Sequence, residues 1–207
     1  MEQHHPPVST ASFWDGLYAA GQDGWELGGP SPALEAWLET GGRFEASGIP
    51  RVAVPGSGRG HDARLLARQG YRVAAFDFSA AAVGEARRLA AADGVDVVVE
   101  QRDVFTLGQD HAGAFDGIWE YTCFCAIDPG RRQEYADVLH TILRPGGLLL
   151  ACFYPLREGA DGPPFPVSRV DIDRALAGRF TILDDRPPAR SVERRRGLEW
   201  LVLARRE

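Results

Sequence analysis

Residues 51–62 read RVAVPGSGRGHD, a short apolar run followed by three glycines at every second position and then a carboxylate. The apolar run predicts a buried strand, and the glycines predict a tight loop that leads into a helix. Because glycine has no Cβ atom, such a loop lets the backbone approach a ligand closely. Ligands of open α/β sheets bind at the carboxyl ends of the strands, so this loop is expected to lie at a binding crevice.

Strand-like and helix-like segments alternate after this loop. The predicted strands are 51–54, 71–76, 95–100, 115–119 and 148–154. Ser79 is the predicted N-cap of a helix that stops at Gly94, Asp128 begins a second helix with Pro129 at its first position, and residues 145–147 (Pro-Gly-Gly) end it. This alternation predicts a parallel α/β sheet with right-handed crossovers and helices on both faces.

The C-terminal part follows a different pattern. A helix is predicted over 168–177, and two strands over 180–183 and 198–203, joined by an arginine-rich turn at 186–196. The two strands predict an antiparallel hairpin at one edge, which brings the mostly parallel sheet to seven strands. The arginine-rich turn is interpreted as a solvated hairpin tip.

Composition excludes several classes of protein. The 207 residues hold 29 acidic and 23 basic side chains, a formal net charge of −6, which argues against nucleic-acid binding. Every basic residue is arginine, so lysine chemistry is absent. The longest strongly apolar stretch, 148–156, is too short to cross a membrane. Three cysteines are too few for a disulfide framework, which favours a reducing, cytoplasmic location.

Asp77 follows Gly56 by 21 positions, the offset at which a carboxylate accepts hydrogen bonds from ribose hydroxyls. A dinucleotide fingerprint would have glycine where this chain has His61, and Asp62 would stand close to a pyrophosphate. The loop therefore favours a nucleoside cofactor without phosphates, such as S-adenosylmethionine. A nicotinamide cofactor is the weaker alternative.

These residues resemble a known family. The glycine loop, residues 75–79 and the Leu-Arg-Pro-Gly-Gly lead at 143–147 look like a class I S-adenosylmethionine-dependent methyltransferase. More narrowly, the aromatic segment 13–25, the stretch 115–127 and the Gly-Pro-Pro loop at 161–168 resemble the thiopurine methyltransferase family, closest to its plant-type thiol, thiocyanate and halide branch. The resemblance covers most of the chain and implies a Rossmann-like seven-stranded sheet.

The resemblance also implies the cofactor-binding residues. Aromatic side chains of an N-terminal lid would wrap the cofactor, the glycine loop would touch its amino-acid part, and Asp77 would bind its ribose. The residues carried over are Trp14, Tyr18, Trp25, Gly56, Gly58, Asp77, Phe78, Asp103, Val104, Glu120 and Tyr121. Asp103 and Val104 would flank the adenine, and Tyr121 would lie beside the methionine end. Tyr18 departs from the tryptophan usual in the family.

Methyl transfer from a sulfonium is an in-line displacement, for which the protein supplies alignment, water exclusion and closure, so no metal is expected. The resemblance implies that the acceptor is a small thiol, thiocyanate or a halide. No convincing general base is visible, and Tyr121 is a candidate for orienting the acceptor. If residues 123–125 are extended, the thiols of Cys123 and Cys125 face one side. The proline-rich loop 155–168 is expected to cover the substrate.

The predicted organisation is a single domain over 1–207, acting as a monomer. It comprises a flexible N-terminus at 1–10, an aromatic cofactor lid at 11–40 and the Rossmann-like core at 51–207. Two alternatives stay open for its function. The first is an oxygen or nitrogen methyltransferase of a small natural product, which would need a base near Tyr121. The second is a non-catalytic S-adenosylmethionine-binding protein.

Overall fold

Seven strands form one continuous sheet in the computed structural model, which describes residues 7–207. The strands are β1 Arg51–Pro55, β2 Arg72–Asp77, β3 Val97–Gln101, β4 Phe115–Tyr121, β5 Leu143–Phe153, β6 Phe180–Arg186 and β7 Trp200–Arg206. Their order is β3-β2-β1-β4-β5-β7-β6. The pairs among β1 to β5 are parallel, whereas β7 runs antiparallel to both β5 and β6. The predicted sheet and its antiparallel C-terminal hairpin are confirmed.

Helices cover both faces of this sheet. Within the described residues they are α1 Ala11–Ala19, α2 Pro32–Glu39, α3 His61–Arg68, α4 Ala80–Asp93, α5 Leu107–Asp110, α6 Arg132–Ile142 and α7 Arg169–Leu176. Apolar side chains of α2, α3 and α4 pack on one face, and those of α5, α6 and α7 pack on the other. Ser79 caps α4 by accepting the Ala82 N–H, and Gly94 ends it in the left-handed conformation, as predicted.

The start of β5 differs from the prediction. Helix α6 ends at Ile142, before the Pro-Gly-Gly segment, and Leu143 already pairs with Phe115 of β4. The register then shifts so that Gly117 pairs with Leu148, and residues 144–147 form the irregular part of the strand. A Cβ atom on Gly147 would lie 2.9 Å from the Arg144 carbonyl oxygen, so the close backbone approach requires glycine there. The glycines therefore shape the strand entry rather than stop the helix.

The predicted lid segment 11–40 divides into two parts. Helix α1 has no buried residue and lies against α4, whereas α2 is buried in the core. Trp37 of α2 packs on Phe44 with ring centroids 5.0 Å apart, so this half of the segment is part of the core. Residues 1–6 of the predicted flexible N-terminus lie outside the described residues. From Pro7 to Glu207, no helix is long and apolar enough to cross a membrane.

Candidate active site

The sheet order reverses between β1 and β4, and a cavity of about 600 Å³ lies at the carboxyl ends of these strands. Crevices of this kind are the usual ligand sites of open α/β sheets. Of the predicted cofactor-binding residues, Trp14, Tyr18, Trp25, Gly56, Gly58, Asp77, Phe78, Asp103, Val104 and Tyr121 all line the cavity. Glu120 does not. The fold thus brings the predicted set together with that one exception.

The glycine loop forms the floor of the cavity. Gly56, Gly58 and Gly60 have φ values of +60°, +53° and +69°, a left-handed conformation that side chains with a Cβ atom adopt only under strain. The Ser57 N–H donates to the Phe76 carbonyl oxygen at 2.9 Å, which ties the loop to β2. Alternate left-handed glycines therefore explain the Gly-x-Gly-x-Gly spacing, and Gly60 is also the N-cap residue of α3.

Asp77 closes β2 and is held by backbone donors. Its Oδ2 accepts the Gly58 N–H at 2.7 Å, and its Oδ1 accepts the Ser79 N–H at 2.9 Å. Burial raises the pKa of this carboxyl group, while the backbone N–H donors lower it. Each carboxylate oxygen has lone pairs beyond the one its N–H donor uses, so the side chain can still accept bonds from a ligand in the cavity.

Three aromatic side chains cover the cavity from the N-terminal segment. The Trp25 ring meets Trp14 edge-on at 5.6 Å and Tyr18 at 5.4 Å, and its Nε1 donates to the Tyr18 Oη at 3.3 Å. Trp14 is fixed in turn by donating to the Val8 carbonyl oxygen at 2.9 Å. Aromatic ring faces attract a sulfonium without offering a competing nucleophile. The cluster is thus suited to enclosing a positively charged methyl donor.

Ionic contacts hold the following segment, residues 20–28, against the glycine loop. Arg59 Nη2 lies 2.6 Å from Asp23 Oδ2, and His61 Nε2 lies 3.0 Å from Glu26 Oε1. Partial burial would raise the pKa of Glu26, but hydrogen bonds from His61 and the Gly28 N–H lower it to about 2. Glu26 is therefore ionised at neutral pH. His61 is the first residue of α3 and also contacts this segment, a role that the sequence did not indicate.

Arg195 corrects the prediction of a solvated arginine-rich turn. The side chain is only 2% exposed and lines the cavity. Its Nη1 donates to the Tyr121 Oη at 2.5 Å, and its Nη2 donates to the Trp25 carbonyl oxygen at 2.7 Å. Its guanidinium carbon lies 4.7 Å from the centre of the Tyr154 ring. A cation from the C-terminal turn thus joins the lid to the end of β4.

Residues 122–127 turn away from the sheet instead of continuing β4. Thr122 has a φ of +66°, so the extended chain ends at Tyr121, and the condition under which the thiols of Cys123 and Cys125 would face one side is not met. Both thiols are buried at the cavity wall, and burial raises the pKa of Cys125 to about 12. They are therefore neutral, and no group of metal ligands is found among residues 7–207.

Side chains on the other rim come from two loops. Asp103 begins a 3-10 turn, Val104–Thr106, by accepting the Phe105 N–H at 3.0 Å, and Val104 lies beside it at the cavity wall. In the proline-rich loop, Pro163 and Pro164 line the cavity. The adjoining Phe165 N–H donates to the Cys125 carbonyl oxygen at 2.7 Å. The loop thus lies at the cavity mouth, and substrate covering by it stays a prediction.

The side chain of Glu120 faces the opposite side of the sheet, because residues alternate along β4. Its Oε2 accepts the Tyr135 hydroxyl at 2.6 Å, and its Oε1 accepts the Phe124 N–H at 2.9 Å. This glutamate is 1% exposed and holds the 122–127 turn against α6. The prediction that its side chain contacts the cofactor is therefore corrected to support of the cavity wall from behind.

Burial raises the pKa of Glu120 from 4.5 to about 7, although Tyr135 and backbone N–H donors lower it. A raised folded-state pKa makes its contribution to stability fully present below about pH 4.5 and lost as the pH rises through about 7. We expect the Tm of Glu120→Gln, relative to wild type, to rise by about 5 °C between pH 5 and pH 8. Scanning calorimetry across that range measures it. The exposed control Glu134→Gln should show no such trend. If the Tm of Glu120→Gln followed that of wild type at a constant difference from pH 5 to pH 8, the raised pKa of Glu120 would be contradicted.

The groups that line the cavity fit S-adenosylmethionine. Asp77 offers lone pairs for hydroxyl groups, the lid offers ring faces for a sulfonium, and the Ser57 hydroxyl is buried in the wall without a partner among the described residues. The apolar part of the lining, which includes Val104 and Phe105, suits an aromatic base. When bound, S-adenosylmethionine supplies an electrophilic methyl group.

Comparison with known proteins agrees with this site. The sequence profile of the thiopurine S-methyltransferase (TPMT) family matches residues 9–196. The chain is 34% identical over 172 residues to probable thiol methyltransferase 2 of Arabidopsis thaliana, covering 81% of this chain and 73% of that protein. It is 28% identical over 176 residues to thiocyanate methyltransferase 1 of Brassica oleracea (79% and 74% covered). Against thiopurine S-methyltransferase of Pseudomonas aeruginosa strain UCBPP-PA14, it is 29% identical over 213 residues (92% and 94% covered).

Solved structures share the fold at lower identity. A structure from work on conversion of a disulfide bond into a thioacetal group during echinomycin biosynthesis has a TM-score of 0.76 and 24% identity, covering 95% of this chain and 91% of that one. Magnesium protoporphyrin IX methyltransferase of Synechocystis, with bound S-adenosylhomocysteine, has a TM-score of 0.71 and 17% identity (95% and 99% covered). The matching profile spans nearly the whole chain, so this protein is an S-adenosylmethionine-dependent methyltransferase and belongs to the thiopurine S-methyltransferase family.

Proposed function

We propose that this enzyme transfers a methyl group to the sulfur of a small thiol, or to thiocyanate or a halide. The observation that carries the proposal is the buried Arg195 guanidinium, which places a positive charge at the cavity wall beside Tyr121. Thiolate, thiocyanate and halide acceptors are anions, so a fixed cation favours their entry and alignment. The thiol and thiocyanate methyltransferases among the relatives support the same class of acceptor.

The proposed cofactor contacts follow the lining of the cavity. The lid rings would enclose the sulfonium, the glycine loop would hold the amino-acid part, and Asp77 would bind the ribose hydroxyls. The proposed set is Trp14, Tyr18, Trp25, Gly56, Gly58, Asp77, Phe78, Asp103, Val104 and Tyr121. Tyr121 belongs to both parts of the site, because its hydroxyl group adjoins Arg195.

We also propose that the chain works as one domain and as a monomer in the cytoplasm. The continuous seven-stranded sheet supports the single domain, and the three free, buried cysteines support a reducing compartment. Light scattering coupled to size-exclusion chromatography tests the monomer, for which a mass of one chain is expected. A mass of two chains would show a dimer and contradict the proposed monomer.

An end-point assay tests the proposed reaction. S-adenosylmethionine is supplied with hydrosulfide, thiocyanate, iodide, aliphatic and aromatic thiols, a phenol and an aromatic amine, and methylated products are identified by mass spectrometry. Methylated sulfur or halide is the expected result. Methylation only of oxygen or nitrogen acceptors would replace the proposal with the first alternative. Tight S-adenosylhomocysteine binding without any methylated product would point to a larger, specialised acceptor outside this panel.

A further inference from the structure

Tyr121 holds an unusual position for a tyrosine at a cavity wall. Its hydroxyl donates to Glu199 Oε1 at 2.5 Å and accepts from Arg195 Nη1 at 2.5 Å. A phenol oxygen has two lone pairs, and Arg195 occupies one of them. The second is available to a donor in the cavity, which Tyr121 lines. An acceptor S–H that reaches this oxygen would therefore meet a hydroxyl whose own proton already points at a carboxylate.

Glu199 lies behind Tyr121 and does not line the cavity. It is 3% exposed, and its Oε2 has no hydrogen-bond partner among the described residues. The charged and titratable groups around the Tyr121–Glu199 pair are the buried thiol of Cys152 on β5 and the Arg195 guanidinium. The Tyr121 O–H already donates to Oε1, so a proton can pass to that oxygen along the existing hydrogen bond.

Most other bases at the cavity wall are already engaged. The two ring nitrogens of His61 contact Glu26 and Arg64 at 3.0 and 2.9 Å. The two oxygens of Asp62 accept from the Ser31 N–H at 2.6 Å and from the Trp119 Nε1 at 2.7 Å. Unlike His61 and Asp62, Tyr121 keeps a lone pair open to the cavity, and unlike the unpartnered Ser57 hydroxyl it is hydrogen-bonded to a carboxylate.

We propose that Tyr121 and Glu199 form a two-step proton relay that deprotonates a thiol acceptor, with Glu199 as the terminal proton acceptor. The S–H bond breaks and its electron pair stays on sulfur, while the proton passes to the Tyr121 Oη. The Tyr121 O–H proton moves at the same time to Glu199, which becomes neutral. The resulting thiolate is the nucleophile for the methyl group. After product release the relay runs in reverse: Glu199 returns a proton to the Tyr121 Oη, and the Tyr121 hydroxyl passes one to water in the cavity.

The relay explains why tyrosine alone does not serve as the base. Burial raises the pKa of Tyr121 above its usual value, with Glu199 and Cys152 adding to this and Arg195 opposing it, so the phenol stays protonated at neutral pH. A protonated phenol can accept a proton only if it gives one up. Glu199 provides the destination, and the Arg195 cation stabilises the negative charge that passes through the pair.

This inference rests on the proposed sulfur acceptor, and its test uses acceptors that differ in their need for a base. Thiocyanate and a strongly acidic aromatic thiol are anions at pH 7, whereas an aliphatic thiol, with a pKa of about 8.5, is protonated. For Glu199→Gln we expect kcat/KM for the aliphatic thiol to fall on the order of 100-fold at pH 7. Rates with the two anionic acceptors should stay within about twofold, and the loss should shrink as the pH passes the thiol pKa.

Two controls separate the relay from a structural role. Glu193→Gln changes an exposed glutamate six positions away and should leave all rates unchanged. In a dead-end complex with S-adenosylhomocysteine, a chromophoric thiol should bind to wild type as thiolate at a pH below its own pKa, and to Glu199→Gln as neutral thiol. If Glu199→Gln fails to fold, Tyr121→Phe replaces it. Because Tyr121 also belongs to the proposed cofactor site, its result is the loss for the protonated thiol divided by the loss for the anionic acceptors, and this ratio should again be on the order of 100.

Each contrary result has one meaning. Equal losses for protonated and anionic acceptors would assign Glu199 a structural role and overturn the relay. Unchanged thiol rates in Glu199→Gln would also overturn it, as would a wild-type enzyme that methylates anionic acceptors but no protonated thiol. A wild-type enzyme that methylates none of these acceptors would instead overturn the proposed function.

Discussion

Arg195→Met is expected to lower kcat/KM at least about 100-fold and the free energy of unfolding by about 3 kcal/mol. Methionine matches the length of the aliphatic part of arginine but donates no hydrogen bond. The Tyr121 Oη and the Trp25 carbonyl oxygen, which accept from Arg195 at 2.5 and 2.7 Å, would both lose their donor. Because Trp25 belongs to the lid, we expect the lid to dock less firmly over the cavity.

Three measurements check this prediction. Steady-state kinetics give the loss in kcat/KM, calorimetry gives a Tm lower by about 8 °C, and hydrogen exchange of residues 20–28 should quicken. The matched control is Arg196→Met, whose side chain is 70% exposed and whose one ion pair among residues 7–207 is with Glu193, at 3.8 Å. The control should resemble wild type in all three. Normal lid exchange in Arg195→Met would show that the guanidinium does not hold the lid.

Local patterns were enough to predict the scaffold and the floor of the site. The tight glycine loop after β1, the Ser79 cap and the Gly94 stop depend on neighbours a few residues away, which composition and spacing report directly. Asp77 was also predictable, because a strand followed by a carboxylate at a fixed offset from the loop places it at the same sheet edge. These features require no knowledge of how distant segments meet.

Long-range contacts account for what the sequence did not reveal. Arg195 lies 74 positions from Tyr121, and the string of charged residues around it looks like a solvated turn. Its burial depends on partners from β4 and from the lid, which periodicity cannot report. One signal was present: Glu199 interrupts the apolar run 198–204, and a carboxylate in a buried strand usually has a specific partner.

The division of the lid also follows from distant packing. Helices α1 and α2 both carry tryptophan, but only α2 presents its apolar face to the core, where Trp37 meets Phe44. Aromatic content alone could not separate the two. The positive φ of Thr122 was likewise hidden, because threonine gives no local indication of a left-handed turn.

Asp77→Ala is expected to weaken S-adenosylhomocysteine binding by about 1.5–3 kcal/mol, the range for hydrogen bonds to a charged group. This corresponds to a rise in Kd of roughly 10- to 150-fold. The carboxylate lines the cavity at the end of β2, where ribose hydroxyls would donate to it. Isothermal titration calorimetry measures the affinity, and an unchanged Kd would remove Asp77 from the cofactor site.

Part of the lost affinity would come from a less ordered glycine loop, because Asp77 also accepts the Gly58 and Ser79 N–H groups. Asp116→Ala is the matched control. Asp116 accepts the Arg51 N–H at 2.8 Å at the amino ends of β1 and β4, whereas the cavity lies at their carboxyl ends. Both variants should lose stability without ligand, but only Asp77→Ala should lose affinity beyond that. If the two variants bound equally well, the carboxylate at the end of β2 would be a structural cap for the loop and not a ribose ligand.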